Sequence, residues 1–281
     1  MLNKSIKSPV NIPVSKIHPF EGNPYKVLDN DEMNILIGSI QEQGILTPII
    51  IRPIENTDEY EVISGHRRLH ATVKAGMKEV PTFIYAVNRD EAAIMLVDSN
   101  LHREHILPSE KAFAYKLKLE AMKHQGITCG QVGHKSRDEI SDTDSGRQIQ
   151  RYIRLTYLIP ELLDLVDEEK IALTPAVELS YLTDEEQYAL LGSIEVEDRT
   201  PSLSQAVRFK KLSQTGNLSD DDIETIMQED KANQKPMFKV SMEKLQEIAP
   251  RVKDKDFEDF VLKACEHYYR YLLRQRDRDS R

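Results

Sequence analysis

The spacing of apolar positions changes character twice along the chain. Residues 10–14 read as a short extended stretch. Met33, Leu36, Ile37 and Ile40 recur three and four apart, which predicts a helix over 31–43, closed by Gly44 as a C-cap. Ile49, Ile50 and Ile51 form a β-branched run between prolines, so 48–53 reads as a strand. Residues 59–64 alternate Tyr60, Val62 and Ser64 against Glu61 and Ile63, a second strand. Gly65 turns the chain, 66–75 reads as a helix, 80–86 as a strand and 90–101 as a helix with Ala93, Ile94 and Val97 inward.

From residue 108 onward the periodicity is helical. Ser109 is the expected N-cap of a helix that buries Phe113, Leu117 and Ala121. A polar, glycine-containing loop spans 126–135. A short helix at 137–141 and a turn at 142–144 precede a longer helix over 145–158, with Ile149, Tyr152, Ile153 and Leu155 inward. Pro160, Thr174-Pro175, Thr183 and Ser202 mark further helix starts. The acidic stretch around 219–229 and the break at 233–236 read as a linker over 214–236. A strand at 237–241 and helices at 242–249 and 254–276 are expected beyond it.

Composition narrows the class. The chain has 281 residues, enough for two or three domains, with 40% hydrophobic and 30% charged residues. No apolar run approaches the roughly 18 residues of a membrane helix, and residues 1–9 lack the apolar core of a signal peptide, so a cytoplasmic protein is expected. Cys129 and Cys265 make no CxxC pair. The net charge of −9 does not exclude nucleic acid, because binding needs only a local basic face. Two segments supply one. Arg147, Arg151 and Arg154 occur in a stretch without acids from Ser145 to Leu158, and the tail from Arg270 to Arg281 holds five arginines against two aspartates.

Two constellations carry candidate chemistry. A short helix, a polar turn and a helix rich in Arg and Gln form the pattern of a helix-turn-helix. Arginine can fork onto guanine and glutamine onto adenine, so Ser145, Arg147, Gln148 and Arg151 are the candidate base readers and Arg154 a phosphate contact. The second constellation is Ser64-Gly65-His66-Arg67-Arg68, between a strand and a helix. Uncapped amides at a helix start, a glycine that admits close approach and two guanidinium groups together suit phosphate. Asn100 and Arg103 close another helix and are candidates for the same phosphates, with Asn100 also able to contact a metal ion. The alternative is that these arginines pair with surface carboxylates. The pairs His66/His70 and His102/His105 have zinc-like spacing but no evident third ligand. No Ser-His-Asp, HExxH or Walker A pattern is present.

Taken in order, IPVSKIHPF, Asn23-Pro24-Tyr25, Gly44 to Pro48, GHRR at 65–68, NLHRE at 100–104 and the following PSEKAFAY resemble the ParB family, closest to variants on plasmids and integrative elements. The resemblance is good over about 10–125, moderate to about 182, and weak beyond. It implies an α/β ParB-like nucleotide-binding domain at 10–107 behind a flexible basic tail at 1–9. An all-α helix-turn-helix domain at 108–213, the linker at 214–236 and a mostly helical, dimerising region at 237–281 would follow. It also implies a homodimer that binds a centromere-like site on double-stranded DNA, closes as a clamp on CTP with Mg²⁺, and works with a ParA-type ATPase stimulated by basic residues such as Lys4 and Lys7. Gly65, Arg67 and Arg68 match the family's phosphate motif, with His66 inside it and Thr47 nearby; Asn100 and Arg103 match the second motif.

The chain departs from that pattern in three places. His66 stands where the family has Glu, Ser99 replaces the Glu tied to hydrolysis, and the Gln-Pro-Arg after Tyr25 is lacking. Asp98, one residue earlier, is turned about 100° away on a helix. CTP binding survives these departures better than CTP hydrolysis. A transcriptional regulator on the same fold is the alternative function. In a sulfiredoxin-like enzyme, a Cys would stand where Gly65 does.

Overall fold

The computed structural model describes residues 8–103, 105–125, 144–229, 242–250, 252–253 and 256–279. They fall into two units, divided between Glu229 and Asp230.

The first unit begins with an α/β layer. Strands β1 (Val10–Pro13), β2 (Ile17–His18), β3 (Ile49–Pro53), β4 (Tyr60–Ser64) and β5 (Glu79–Ile84) form one sheet in the order β1-β5-β3-β4-β2. The β1–β5 and β3–β4 pairs are antiparallel, whereas β3–β5 and β2–β4 are parallel. Helix α1 (Asp31–Gln43) is capped by Asn30, and Met33 and Ile40 on its buried face meet Ala71 of α2 (His66–Lys74). Leu69 of α2 packs with Ile49, Ile51, Val62 and Val80 of the sheet. Ile63 joins a separate cluster with Ala92, Ala93, Leu96 and Val97 of α3 (Arg89–Asp98).

β4 is therefore covered on both sides, and Glu61, Val62 and Ile63 are all buried instead of alternating. The buried Glu61 carboxylate is compensated on every side. Arg52, its register partner on β3, donates Nε at 2.8 Å and approaches through a terminal nitrogen at 2.6 Å, and the Glu21 amide donates at 2.9 Å.

Helices follow. They are α4 (Pro108–His124), α5 (Gly146–Leu155), α6 (Pro160–Asp167), α7 (Leu173–Leu179), α8 (Asp184–Glu197), α9 (Leu203–Gln214) and α10 (Asp220–Gln228). The architecture is thus a mixed sheet–helix domain followed by helices, as expected. Thr183 and Ser202 precede helices as anticipated, and both form capping boxes, each side-chain oxygen accepting the amide three residues on.

Three expectations are corrected. Pro108 takes the first helical position of α4, which moves the cap to Leu107 and puts Ser109 inside the helix, buried. The buried face of α4 is Ala114, Tyr115, Lys118, Ala121 and Met122, whereas Phe113 is exposed and Leu117 only half-buried. The acidic stretch read as linker contains α10, whose Ile223, Ile226 and Met227 are buried in the same core as Leu190, Ile194 and Phe209. Apolar spacing outweighs the acidic run, and the three aspartates opening α10 sit favourably at a helix N-terminus.

In the second unit, α11 (Met242–Ile248) precedes α12 (Phe257–Asp279). Phe257 is buried, but Phe260, Tyr268, Tyr271 and Leu272 are exposed. Ile248 is exposed too, so it does not cover them. The helix expected at 137–141, the loop at 126–135 and the strand expected at 237–241 lie outside the described residues.

Candidate nucleotide pocket and nucleic-acid interface

The turn from β4 into α2 is set by one residue. Gly65 has φ +104°, a region that L side chains avoid. A Cβ there would stand 2.6 Å from Ile49 Cγ2. As the N-cap of α2 it brings no capping side chain, and the first turn holds no acid. The opening amides of α2 are therefore uncapped and carry the positive end of the helix dipole.

This turn opens on a cavity of about 610 Å³. Ser64, Gly65, His66, Arg67 and Arg68 line one wall, Asn100 and Arg103 another, and Asn23, Tyr25, Lys26, Glu32 and Ser39 complete it. Residues 35 apart in sequence thus converge as expected, with four basic side chains around an uncapped helix start.

Each side chain has a distinct role. Arg68 donates to the carbonyls of Thr47 and, at 2.9 Å, Pro48, and burial pushes its pKa down. Thr47 thus takes part through its carbonyl oxygen and lies outside the cavity wall. Arg67 forms an ion pair with Glu32 at 3.0 Å, the carboxylate pairing weighed in the sequence. His66 Nε2 accepts the Phe20 amide at 3.3 Å, and burial lowers the imidazole pKa to about 4, so it is a neutral acceptor at pH 7. Asn100 donates its Nδ2 to the Leu96 carbonyl at 2.8 Å and to Ser99 Oγ at 3.2 Å, and among the described residues its carbonyl oxygen has no hydrogen-bond partner. Arg103 is exposed at the cavity. Asp98 is tied to Lys118 of α4 and is absent from the wall, as is Ser99. His70 pairs with Asp29 at 2.8 Å. Among the described residues no group of three His, Cys, Asp or Glu is placed to hold a metal ion.

Sequence reasoning missed Lys26, Glu32 and Ser39. The basic character of Lys26 was visible, but nothing in its spacing placed it opposite residues 64–68.

The candidate recognition helix is α5. Ser145 caps it, its side chain accepting the Gln148 amide at 3.3 Å. Ile149 and Leu155 are fully buried, which turns Arg147 outward to an exposed position and Gln148, Gln150 and Arg151 to partly exposed ones. Arg151 donates to Thr174 Oγ1 of α7 at 2.5 Å and to Gln148 Oε1 at 3.3 Å. Arg154 is a packing residue. It donates to the Ser180 hydroxyl at 3.0 Å and carbonyl at 2.7 Å, and its guanidinium lies 4.5 Å from the Tyr157 ring centroid and 3.9 Å from that of Tyr181.

The ParB N-terminal domain family matches residues 2–101. The chromosome-partitioning protein Spo0J of Thermus thermophilus is 31% identical over 171 residues, 61% of this chain and 59% of the relative. A nucleoid occlusion protein of Listeria monocytogenes is 30% identical over 142 residues, 50% of this chain and 49% of the relative. The chain thus spans between half and three fifths of the length of these relatives. A crystal structure of C-terminally truncated ParB from Caulobacter crescentus, complexed to the centromeric parS site, aligns with 78% of this chain and 98% of its own, at 20% identity and a TM-score of 0.42.

Proposed function

We propose that the protein is a ParB-type partition protein: a homodimer that binds a centromere-like site on double-stranded DNA through α5 and takes CTP with Mg²⁺ in the cavity at 64–68. A ParA-type ATPase is its partner, and its place is on the nucleoid in the cytoplasm. The observation that carries the nucleotide reading is the Gly65 turn. A conformation closed to other residues presents uncapped amides to a cavity ringed by Arg67, Arg68, Arg103 and Lys26. The sequence similarity to a chromosome-partitioning protein supports the DNA reading.

The residues fit a nucleoside triphosphate in charge and in room. The amides and guanidinium groups match the phosphates, and the free carbonyl oxygen of Asn100 suits a hard divalent cation carried with them. Asp98 is held by Lys118 and Ser99 stands in place of the family's Glu, so neither residue before Asn100 puts a carboxylate in the cavity wall, which favours binding over hydrolysis.

Calorimetric titration of each nucleoside triphosphate with Mg²⁺ into the full chain tests this. CTP is expected to bind saturably, and Arg103→Ala, which removes an exposed cavity cation, to weaken it on the order of tenfold or more, the scale of one charge-assisted contact. Absence of binding by any nucleotide would remove the nucleotide half of the reading. Selection of bound fragments from a random DNA pool tests the other half. Wild type should enrich one motif, and Arg147→Ala with Gln148→Ala should lose it.

A further inference from the structure

Lys26 stands in the cavity wall, yet its partners are on the helical half of the unit. Its Nζ lies 3.4 Å from Asp164 and 3.3 Å from Asp167 of α6. Its backbone amide donates at 2.8 Å to Glu110 of α4, whose other carboxylate oxygen accepts the Leu107 amide at 3.2 Å. Asp167 also accepts the Ser109 amide at 2.9 Å and the Ser109 hydroxyl. Residues 26, 107–110 and 164–167 thus form one polar junction between the cavity loop and the two helices.

The two aspartates differ in what they lose if Lys26 leaves. Asp164 is 65% exposed and water replaces the lysine at little cost. Asp167 is 7% exposed, so departure of Lys26 leaves a buried carboxylate with only the Ser109 donors. The lysine itself is 47% exposed and long enough to change partner. A triphosphate in the adjoining cavity offers several charged oxygens as alternative acceptors for the same ammonium group.

We propose that Lys26 is a positioning residue that couples the cavity to the DNA-binding helices: phosphates in the cavity recruit its ammonium group, and its departure loosens α6 from the start of α4. This rests on the nucleotide reading above. It would let occupancy of the cavity change how the helices that follow α4 are held.

Hydrogen–deuterium exchange on the full chain, with and without CTP and Mg²⁺, reads the junction directly, and calorimetry on the same samples reads binding. Wild type should show exchange at 107–111 and 160–167 rising on the order of tenfold with CTP, equivalent to one contact's worth of local stability. Lys26→Met should show that raised exchange without nucleotide, should gain nothing from CTP, and should bind CTP more weakly. Asp164→Asn should raise it only slightly, because Asp167 remains. CTP binding to wild type with unchanged exchange at both segments would overturn the coupling and leave the nucleotide reading standing. Absence of CTP binding would sink both, and the calorimetry distinguishes these two failures.

Discussion

At the scale of single residues, the turn into α2 depends on a backbone conformation that residues with a side chain avoid. Gly65→Ala combines a strained φ of +104° with a Cβ pressed against Ile49. It should cost about 1–3 kcal/mol of stability, measured by urea unfolding, together with nucleotide binding. Arg154 is held by Ser180 and by two tyrosine rings, so Arg154→Met should lower stability by about 2 kcal/mol and displace α5 from α7. A thermal melt unchanged from wild type would contradict that packing role. His66 carries a pH dependence. Its pKa falls from 6.5 to about 4 on folding because burial disfavours the charged ring. The unfolded chain therefore binds the extra proton first as pH drops. The stability held by neutral His66 is complete above about 6.5 and is lost as pH falls toward 4, by roughly 3 kcal/mol. Unfolding midpoints at pH 7.5 and pH 5 should differ more in wild type than in His66→Gln, which keeps an acceptor but does not titrate.

At the scale of elements, most helices and strands of the first unit were legible because periodicity and capping residues agreed with the tertiary packing. Met33 and Ile40 of α1, and Thr183 and Ser202 before α8 and α9, are such cases. The errors have physical causes. Pro108 outranks Ser109 as a helix-start signal because proline lacks the amide that a first-turn position leaves free. Helix α4 packs against α3 through Ala114 and Ala121 and against α5 through Tyr115 and Met122, so no single stripe marks its buried face. In α10 the acidic run hid Ile223, Ile226 and Met227, whose spacing of three and four was the available signal. The turn at 64–68 could be read locally, since strand, glycine and two arginines are contiguous. The rest of the cavity could not, because Glu32 and Ser39 reach it only through the way α1 lies against α2, and Lys26 only in a loop whose partners are on α4 and α6. If α10 is part of the folded core, then Ile226→Ala should lower the melting temperature of the unit and cost about 2–4 kcal/mol, whereas a linker residue would cost nothing.

At the scale of the whole molecule, the cavity at 64–68 and helix α5 occur in one unit, and a helix with exposed Phe260, Tyr268, Tyr271 and Leu272 belongs to the other. No described helix is long and apolar enough to cross a membrane. The exposed aromatic and leucine side chains of α12 suit a second copy of the chain. Tyr268→Glu with Leu272→Glu should shift the mass in light scattering from dimer to monomer while leaving the unfolding of the first unit unchanged. The proposed function requires the cavity and helix α5 to act together on DNA. The most direct test is to crosslink and immunoprecipitate the protein from cells and map it on DNA, with wild type and Arg103→Ala side by side. A zone of kilobase scale around one site, collapsing in the variant to a narrow peak at that site, is the predicted result. Equally narrow peaks in both would contradict it, and would leave an operator-binding protein in which residues 64–68 only shape the fold.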